Sequence, residues 1–372
     1  MDLTLTDEQE LISGTAREFL EARCPISHVQ DMDSDPAGFS SDLWKEMAEL
    51  GWMGLAFPEE HGGYGAGFLE LCLIVEQMGR HLLPGPFLPT ELCGLAVARH
   101  GTDEQKGRVL GGIAGGESIL TYARAAPRTG WPSRGSSVGC RAEGAGFILS
   151  GSAPLVPFAH VADELLVFGQ APDQPDHLTA LLVPTQAVDT EPQHAVGGDR
   201  LQRVSLEGVE VTSDRVIGGE GQGRDVLETL QELGTAATCA EMVGGAQKVL
   251  DMTVAYASER EQFGAPIGSF QAIQHHCADM GVDVLASRLM AYEAIWRLSE
   301  GMEAREEVSM AKAWVSEAYR RVCALGHQVH GAIGFTREHE LHHYLRHAVA
   351  TELSFGDGDH HWARIADHLG LP

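Results

Sequence analysis

The sequence predicts a multidomain α+β protein in three parts: an N-terminal helical domain (1–116), a middle β domain (117–222) and a C-terminal four-helix bundle (223–372). Apolar residues recur at helical spacing in the first and last parts. Between them lie short β-branched segments, separated by Gly, Pro and Asp. The length of 372 residues suits two or three domains better than one.

The N-terminal helices are predicted from their start signals. Thr6 and Gln9 fit a capping box, in which a hydroxyl and an amide satisfy the first free backbone groups. Ser41 can cap a second helix. A long apolar helix is expected from about Phe68 to Met78, and another through 92–99 after a proline-rich break.

The middle part predicts strands. Its β-branched and apolar runs fall at 147–149, 165–168, 179–183, 204–206 and 209–211, each bounded by turn residues. Regular strand spacing of this kind indicates a small β-barrel or a sandwich.

The C-terminal part predicts four long helices, over 225–258, 269–299, 304–330 and 337–352. Helices of this length joined by short connections favour an antiparallel bundle.

Charge and cysteine content indicate which partners and which cellular compartment to expect. The formal net charge is −27, and an acidic surface repels phosphate backbones, so we expect no nucleic-acid partner. The seven cysteines form no C-x-x-C pair, which favours buried, reduced thiols. The N-terminus has no apolar signal core, and no apolar run is long enough to cross a membrane. We therefore expect a cytoplasmic protein without membrane insertion.

The turn between the first two bundle helices, residues 256–271, carries the main candidate site. It presents Arg260, Gln262 and Phe263 together. A guanidinium fork suits a diphosphate, and an aromatic ring can cover an apolar cofactor face. The alternative is an ordinary helix–turn–helix whose arginine forms a salt bridge.

This turn resembles the flavin signature of the acyl-CoA dehydrogenases, in which a Tyr, an Arg-x-x-Phe-Gly and a Phe-Gln recur at these spacings. Residues 328–336 resemble the family's Gln-x-x-Gly-Gly-x-Gly segment, and residues 58–65 resemble its N-terminal glycine-rich loop. The likeness therefore covers nearly the whole chain. It implies the family's three-domain fold, FAD as cofactor, an acyl-CoA substrate and α,β-dehydrogenation of its thioester.

The resemblance also implies which residues bind the flavin. They are Arg260, Gln262, Phe263, Ile267, Phe270, Gln271, Gln328, Gly331 and Ala332. No metal is expected. The crowded histidines His339, His342, His343 and His347 lack a recognised set of ligands around them, so a solvated or interface helix is the default.

The catalytic base is the clearest departure from the family. Phe355 stands at one family position for this carboxylate and Gly234 at the other, and neither can accept a proton. Glu241 lies seven residues after Gly234, about two helical turns along the same face, within an otherwise small or apolar run. We interpret Glu241 as a relocated base. The alternative is a structural carboxylate satisfied by an arginine or by backbone amides.

The positions that would meet the isoalloxazine ring also depart. Residues 125–131 replace the family's flavin-contacting loop, Leu155 replaces a stacking tryptophan, and Pro157 replaces a threonine. The ring-side half is altered while the half that reaches across a subunit interface is kept.

This asymmetry resembles one subunit of the bacterial two-gene acyl-CoA dehydrogenases. These form heterotetramers, and some act on bulky steroid side-chain thioesters in lipid or steroid catabolism. The resemblance implies a second dehydrogenase-like chain and an electron-transfer flavoprotein as acceptor. Two alternatives stay open: a non-catalytic scaffold subunit, and a homotetramer with an altered pocket.

Overall fold

The computed structural model describes residues 4–371 except 124–135, 173, 175 and 176. N-terminal helices, a middle sheet and a C-terminal helical bundle follow one another along the chain, so the predicted fold class is confirmed. The domain boundaries near residues 116 and 222 stay a prediction. In the described part of the chain, no helix is long and apolar enough to cross a membrane.

Six helices form the N-terminal part. The capping box at Thr6 and Gln9 is present, and Ser40 rather than Ser41 caps the third helix. Two short helices, α2 and α6, were not among the sequence predictions. The bounds are α1 Asp7–Arg23, α2 Ile26–Ser34, α3 Ser41–Glu49, α4 Phe68–His81, α5 Phe87–His100 and α6 Asp103–Ala114.

The middle part is one mixed sheet in the described residues. Four of the five predicted runs lie wholly in its strands, and the run 204–206 ends one residue beyond β7. The long strand β3 holds the sheet together, because it pairs antiparallel with β2, β7 and β8. The bounds are β1 Leu120–Ala123, β2 Val138–Glu143, β3 Gly146–Pro157, β4 Glu164–Gln170, β5 Leu178–Pro184, β6 Asp189–Gln193, β7 Leu201–Ser205, β8 Val209–Thr212 and β9 Val216–Ile217.

The bundle contains the four predicted long helices and one more. These are α7 Gly223–Glu259, α8 Gln271–Ser299, α9 Arg305–His330, α10 Leu341–Leu353 and α11 Gly358–His368. Between α7 and α8 the chain forms a small hairpin, β10 Glu261–Gln262 and β11 Ala265–Pro266. Asp357 caps α11, because its side chain accepts a hydrogen bond from the backbone N–H of His360.

Helices α4 and α7 approach each other closely at two glycines. A Cβ on Gly79 would lie 1.9 Å from the carbonyl oxygen of Glu241, and one on Gly244 would lie 1.8 Å from that of Glu76. No side chain fits between the backbones at these points. The contact therefore fixes the part of α7 that carries Glu241.

Candidate functional site

A cavity of about 480 Å³ lies where the N-terminal helices, the middle sheet and the bundle meet. Its walls come from the α4–α5 connection, the end of β3, the β6–β7 loop, α7 and α10. Pockets that hold small organic ligands are commonly this large.

Phe355 and Gly234, the two positions that the resemblance assigns to a catalytic carboxylate, meet at this cavity. A Cβ on Gly234 would lie 2.3 Å from the Phe355 ring, so the ring fills the space that a side chain at 234 would need. Tyr122 also packs against the ring, with centroids 5.7 Å apart. The wall is therefore aromatic where the resemblance would put an acid.

Hydrogen bonds to two backbone carbonyls hold Phe355 in place. Its φ of 56° is in the left-handed region, which a bulky residue rarely adopts. Its carbonyl accepts a hydrogen bond from His361 Nε2 at 3.1 Å, and the next carbonyl, of Gly356, accepts one from Lys312 Nζ at 2.9 Å. Lys312 is fully buried and also bonds two carbonyls at the end of α10, and burial lowers its pKa to about 8.

Glu241 lies on the α7 side of the cavity and is bonded to His347 of α10. His347 Nε2 donates to Glu241 Oε1 at 3.0 Å, and His347 Nδ1 lies 3.2 Å from the hydroxyl of Tyr319. The partner of the carboxylate is thus a histidine. The sequence alternative, an arginine or backbone amides, named the wrong kind of group.

A second carboxylate, Asp199 of the β6–β7 loop, acts on this pair electrostatically. Burial alone lowers the pKa of His347, but its hydrogen bond to Glu241 and the charges of Glu241 and Asp199 outweigh that effect, so the pKa is raised. The pKa of Asp199 is itself raised, because protein surrounds the group and because Glu241 carries a like charge. Two acids therefore share one imidazole at this end of the cavity.

The tip of the predicted flavin-binding turn, residues 260–264, is exposed. Phe263 is 96% exposed, and Arg260 forms no ion pair with any residue that the structure describes. The alternative, in which this arginine forms a salt bridge, is therefore wrong for the described part of the chain. An unpaired guanidinium beside an exposed ring leaves both groups available to a ligand.

The remaining predicted cofactor residues lie at the same end of the bundle. Tyr256 stacks on His330, with ring centroids 4.4 Å apart, which joins the turn to the end of α9. Phe263 meets Phe270 edge-to-face at 6.1 Å. The exposed set comprises Gln262, Gln271, Gln328, Gly331 and Ala332, and Ile267 is half-buried.

Arg260 and Glu241 do not come together within one chain. Both belong to α7 or its end, and 19 residues at roughly 1.5 Å each place them about 28 Å apart. The structure thus separates the predicted cofactor turn from the predicted base.

The altered ring-side positions are only partly described. Residues 125–131 lie outside the described part of the chain. Leu155 and Pro157 both line the cavity, and Leu155 is 53% exposed with a left-handed φ of 57°. Neither side chain offers a polar group to a ligand.

The sequence interpretation missed His347, Tyr319 and Asp199. Of the two expectations for the histidine helix, solvated or interface, the solvated one was wrong for this face of α10, since His343 is buried and His347 is bonded to Glu241. The i, i+4 spacing of these histidines was the available signal, because it puts both rings on one face. Within the described residues no group of three or more His, Cys, Asp or Glu side chains could hold a metal.

Comparison with known proteins agrees with this architecture. The N-terminal domain model of acyl-CoA dehydrogenase matches residues 6–117, and its C-terminal domain model matches residues 221–370. A probable acyl-CoA dehydrogenase of Bacillus subtilis, YngJ, is 30% identical to this chain. The aligned residues cover 96% of this chain and 97% of YngJ.

Two solved structures have the same fold over the full chain. The ChsE4–ChsE5 complex of Mycobacterium tuberculosis is 30% identical with a TM-score of 0.91, and all of both chains is covered. The Tcur3481–Tcur3483 steroid ACAD is 28% identical with a TM-score of 0.89 over 99% of each chain. This chain belongs to the acyl-CoA dehydrogenase family.

Proposed function

We propose that this chain is one subunit of a cytoplasmic, FAD-dependent assembly that dehydrogenates a bulky acyl-CoA thioester, together with a second, different chain. The observation that carries the proposal is the separation of about 28 Å between the exposed Arg260 turn and the Glu241 cavity. A cofactor clamp so far from its own chain's cavity fits a site completed by a neighbouring chain. The apolar side chains of Leu155 and Pro157 at the ring-side positions favour a different chain as that neighbour.

The turn fits FAD. Arg260 offers an unpaired fork for the diphosphate, and Phe263 offers an exposed ring. A Cβ added to Gly331 would meet nothing within 4 Å, so a ligand can approach this backbone. FAD supplies the hydride acceptor for the β-carbon of the acyl group, and an electron-transfer flavoprotein is the proposed acceptor beyond it.

The cavity fits a bulky acyl group. It has about 480 Å³ of space, and Phe355, Tyr122 and Leu155 give it an apolar wall. Both structural relatives named above are two-component proteins, and the Tcur3481–Tcur3483 protein is a steroid ACAD.

Glu241 stays the predicted base for the case in which this chain supplies one. It lines the proposed substrate cavity, but it is about 10 Å along α7 from Gly234 and its carboxylate is bonded to His347. The test is Glu241→Gln in the flavin-loaded assembly. A base requires that turnover falls by orders of magnitude for every acyl-CoA while flavin stays bound.

A second candidate function is a non-catalytic subunit that completes its partner's flavin site. The contact of Phe355 with Gly234 favours it, because both positions are then closed to a carboxylate.

One comparison separates these functions: flavin content and acyl-CoA turnover of the chain alone and of the chain co-purified with its neighbouring gene product. The proposal expects flavin and turnover only from the pair, as a tetramer in light scattering. Stoichiometric flavin and turnover from this chain alone would establish the homotetramer instead. A pair whose activity survives every change in this chain's cavity would establish the non-catalytic subunit.

A further inference from the structure

We propose that Glu241 and His347 form a receptor for a hydroxyl group on the distal part of the acyl chain. The substrate would then be a hydroxylated acyl-CoA thioester. This inference rests on the proposed function, because it takes the cavity to hold the acyl group.

The first argument is the cost of the polar groups. The bonded pair of Glu241 and His347 lies in a cavity with mixed walls, and the wall towards the α4–α5 connection is apolar, with Leu83, Pro84 and Leu88. A purely hydrocarbon acyl group would strip water from this pair and return no hydrogen bond. A polar substituent at this point removes that penalty.

The second argument is that one oxygen of the Glu241 carboxylate remains available as a hydrogen-bond acceptor. Glu241 Oε1 is taken by His347, but Oε2 accepts no hydrogen bond from the described residues. The side chain is 26% exposed and lines the cavity, so this oxygen can reach a ligand there. A carboxylate oxygen of this kind accepts from a hydroxyl.

The third argument is charge. Glu241 and Asp199 are two acids beside one imidazole, and the two guanidinium groups nearby are engaged elsewhere, Arg200 with backbone carbonyls and Arg346 with Asp33. The field at the remaining oxygen of Glu241 is therefore negative. Such a field favours a hydrogen-bond donor and disfavours an anion. We therefore infer a hydroxyl group in the ligand and exclude a terminal carboxylate.

The fourth argument is position. Glu241 lies about 10 Å along α7 from Gly234 and the Phe355 ring. On that side the cavity continues to the α4–α5 connection, where Leu83, Pro84 and Leu88 line it. The hydroxyl would therefore lie far from the thioester and not on the reacting carbons.

The probes are three thioesters of equal chain length: octanoyl-CoA, 8-hydroxyoctanoyl-CoA and the mono-CoA thioester of octanedioic acid. Binding to the flavin-loaded assembly is measured by calorimetry, and turnover is measured in parallel. We expect the hydroxyl to lower Kd by about ten- to a hundred-fold relative to octanoyl-CoA. We expect the carboxylate to bind no better than octanoyl-CoA.

Glu241→Gln keeps the shape of the side chain and removes its charge. It should erase most of the hydroxyl preference, measured as the ratio of the Kd for octanoyl-CoA to the Kd for 8-hydroxyoctanoyl-CoA. The matched control is Glu228→Gln, a glutamate on the same helix that pairs with Arg305 at the surface. It should leave the preference unchanged.

The outcomes separate this inference from the proposed function. Equal binding of the octanoyl and hydroxyoctanoyl thioesters overturns the receptor and leaves the proposed function intact. Loss of turnover on both thioesters in Glu241→Gln makes Glu241 the base and also overturns the receptor. Binding of none of the three thioesters removes the proposed function itself.

Discussion

Two phenylalanines of this chain have almost the same backbone conformation and opposite surroundings. Phe355 has a φ of 56° and is 7% exposed, whereas Phe263 has a φ of 57° and is 96% exposed. For a bulky residue this left-handed region is strained. What holds each residue there differs between the two regions.

At Phe355 the chain itself supplies the restraint. His361 and Lys312 bond the carbonyls of residues 355 and 356, and the ring packs on Gly234 and Tyr122. Strain of this kind persists only where the surroundings over-determine the conformation. This part of the cavity wall is therefore fixed by contacts within one chain.

At Phe263 the restraint is only a tight hairpin. Phe263 and Gly264 both have positive φ between β10 and β11, which is the pattern of a type I′ turn. Asn or Asp would serve the turn better than Phe. The ring is thus placed outward at a cost that only a ligand or a neighbouring chain offsets. The comparison shows that contacts within this chain hold the Phe355 part of the predicted site, whereas the Phe263 part lacks such contacts.

The largest expected effect comes from removing the buried ring. Phe355→Ala should lower the free energy of unfolding by about 3–5 kcal/mol, because it opens a cavity beside Gly234. Denaturant unfolding of the purified protein measures this. A change below about 1 kcal/mol would mean that the ring does not hold the wall.

Acid should loosen the same wall. Burial, helped by the charge of Lys312, lowers the pKa of His361 to about 3, and its Nδ1 is buried without a partner among the described residues. Between pH 6.5 and about 3 the unfolded chain binds a proton that the folded chain does not, so stability falls as pH falls.

The expected loss from His361 between pH 7 and pH 4 is on the order of 2–3 kcal/mol. His361→Gln, whose amide can still donate to the Phe355 carbonyl, should flatten this pH dependence. A parallel pH profile in wild type and variant would contradict the assignment.

The exposed half should respond in cofactor binding and not in stability. Arg260→Ala should weaken flavin binding by about 1.5–3 kcal/mol, since a charge-assisted contact is lost, and leave unfolding unchanged. Flavin absorbance of the purified assembly during dilution measures the affinity. Full retention of flavin would show that the turn does not bind it.

The smallest expected effect on stability is that of Phe263→Ala. The ring touches little besides Phe270, so the free energy of unfolding should stay within about 0.5 kcal/mol of wild type. The same measurement on Phe355→Ala provides the contrast. A large loss at 263 would mean that the ring is buried in an oligomer present during the assay.

The sequence by itself determined the order of helices, sheet and bundle, because period and turn residues are local properties of the chain. It determined four bundle helices to within a few residues. It also identified a turn within residues 256–271, because the segment between the two helices is contiguous in the sequence. A group of residues that lie next to one another in the sequence can be recognised from the sequence alone.

Only the tertiary structure decided which residues share the cavity. Glu241, His347 and Asp199 come from α7, α10 and a loop of the sheet, and 106 residues separate the first two. No local pattern reports a contact across that distance. The same holds for Phe355 and Gly234, because the ring fits only where the other helix lacks a Cβ. At the two positions where the resemblance puts a carboxylate, packing between distant segments places a phenylalanine ring against a glycine. This contact forms one aromatic wall, which the residue types alone do not predict.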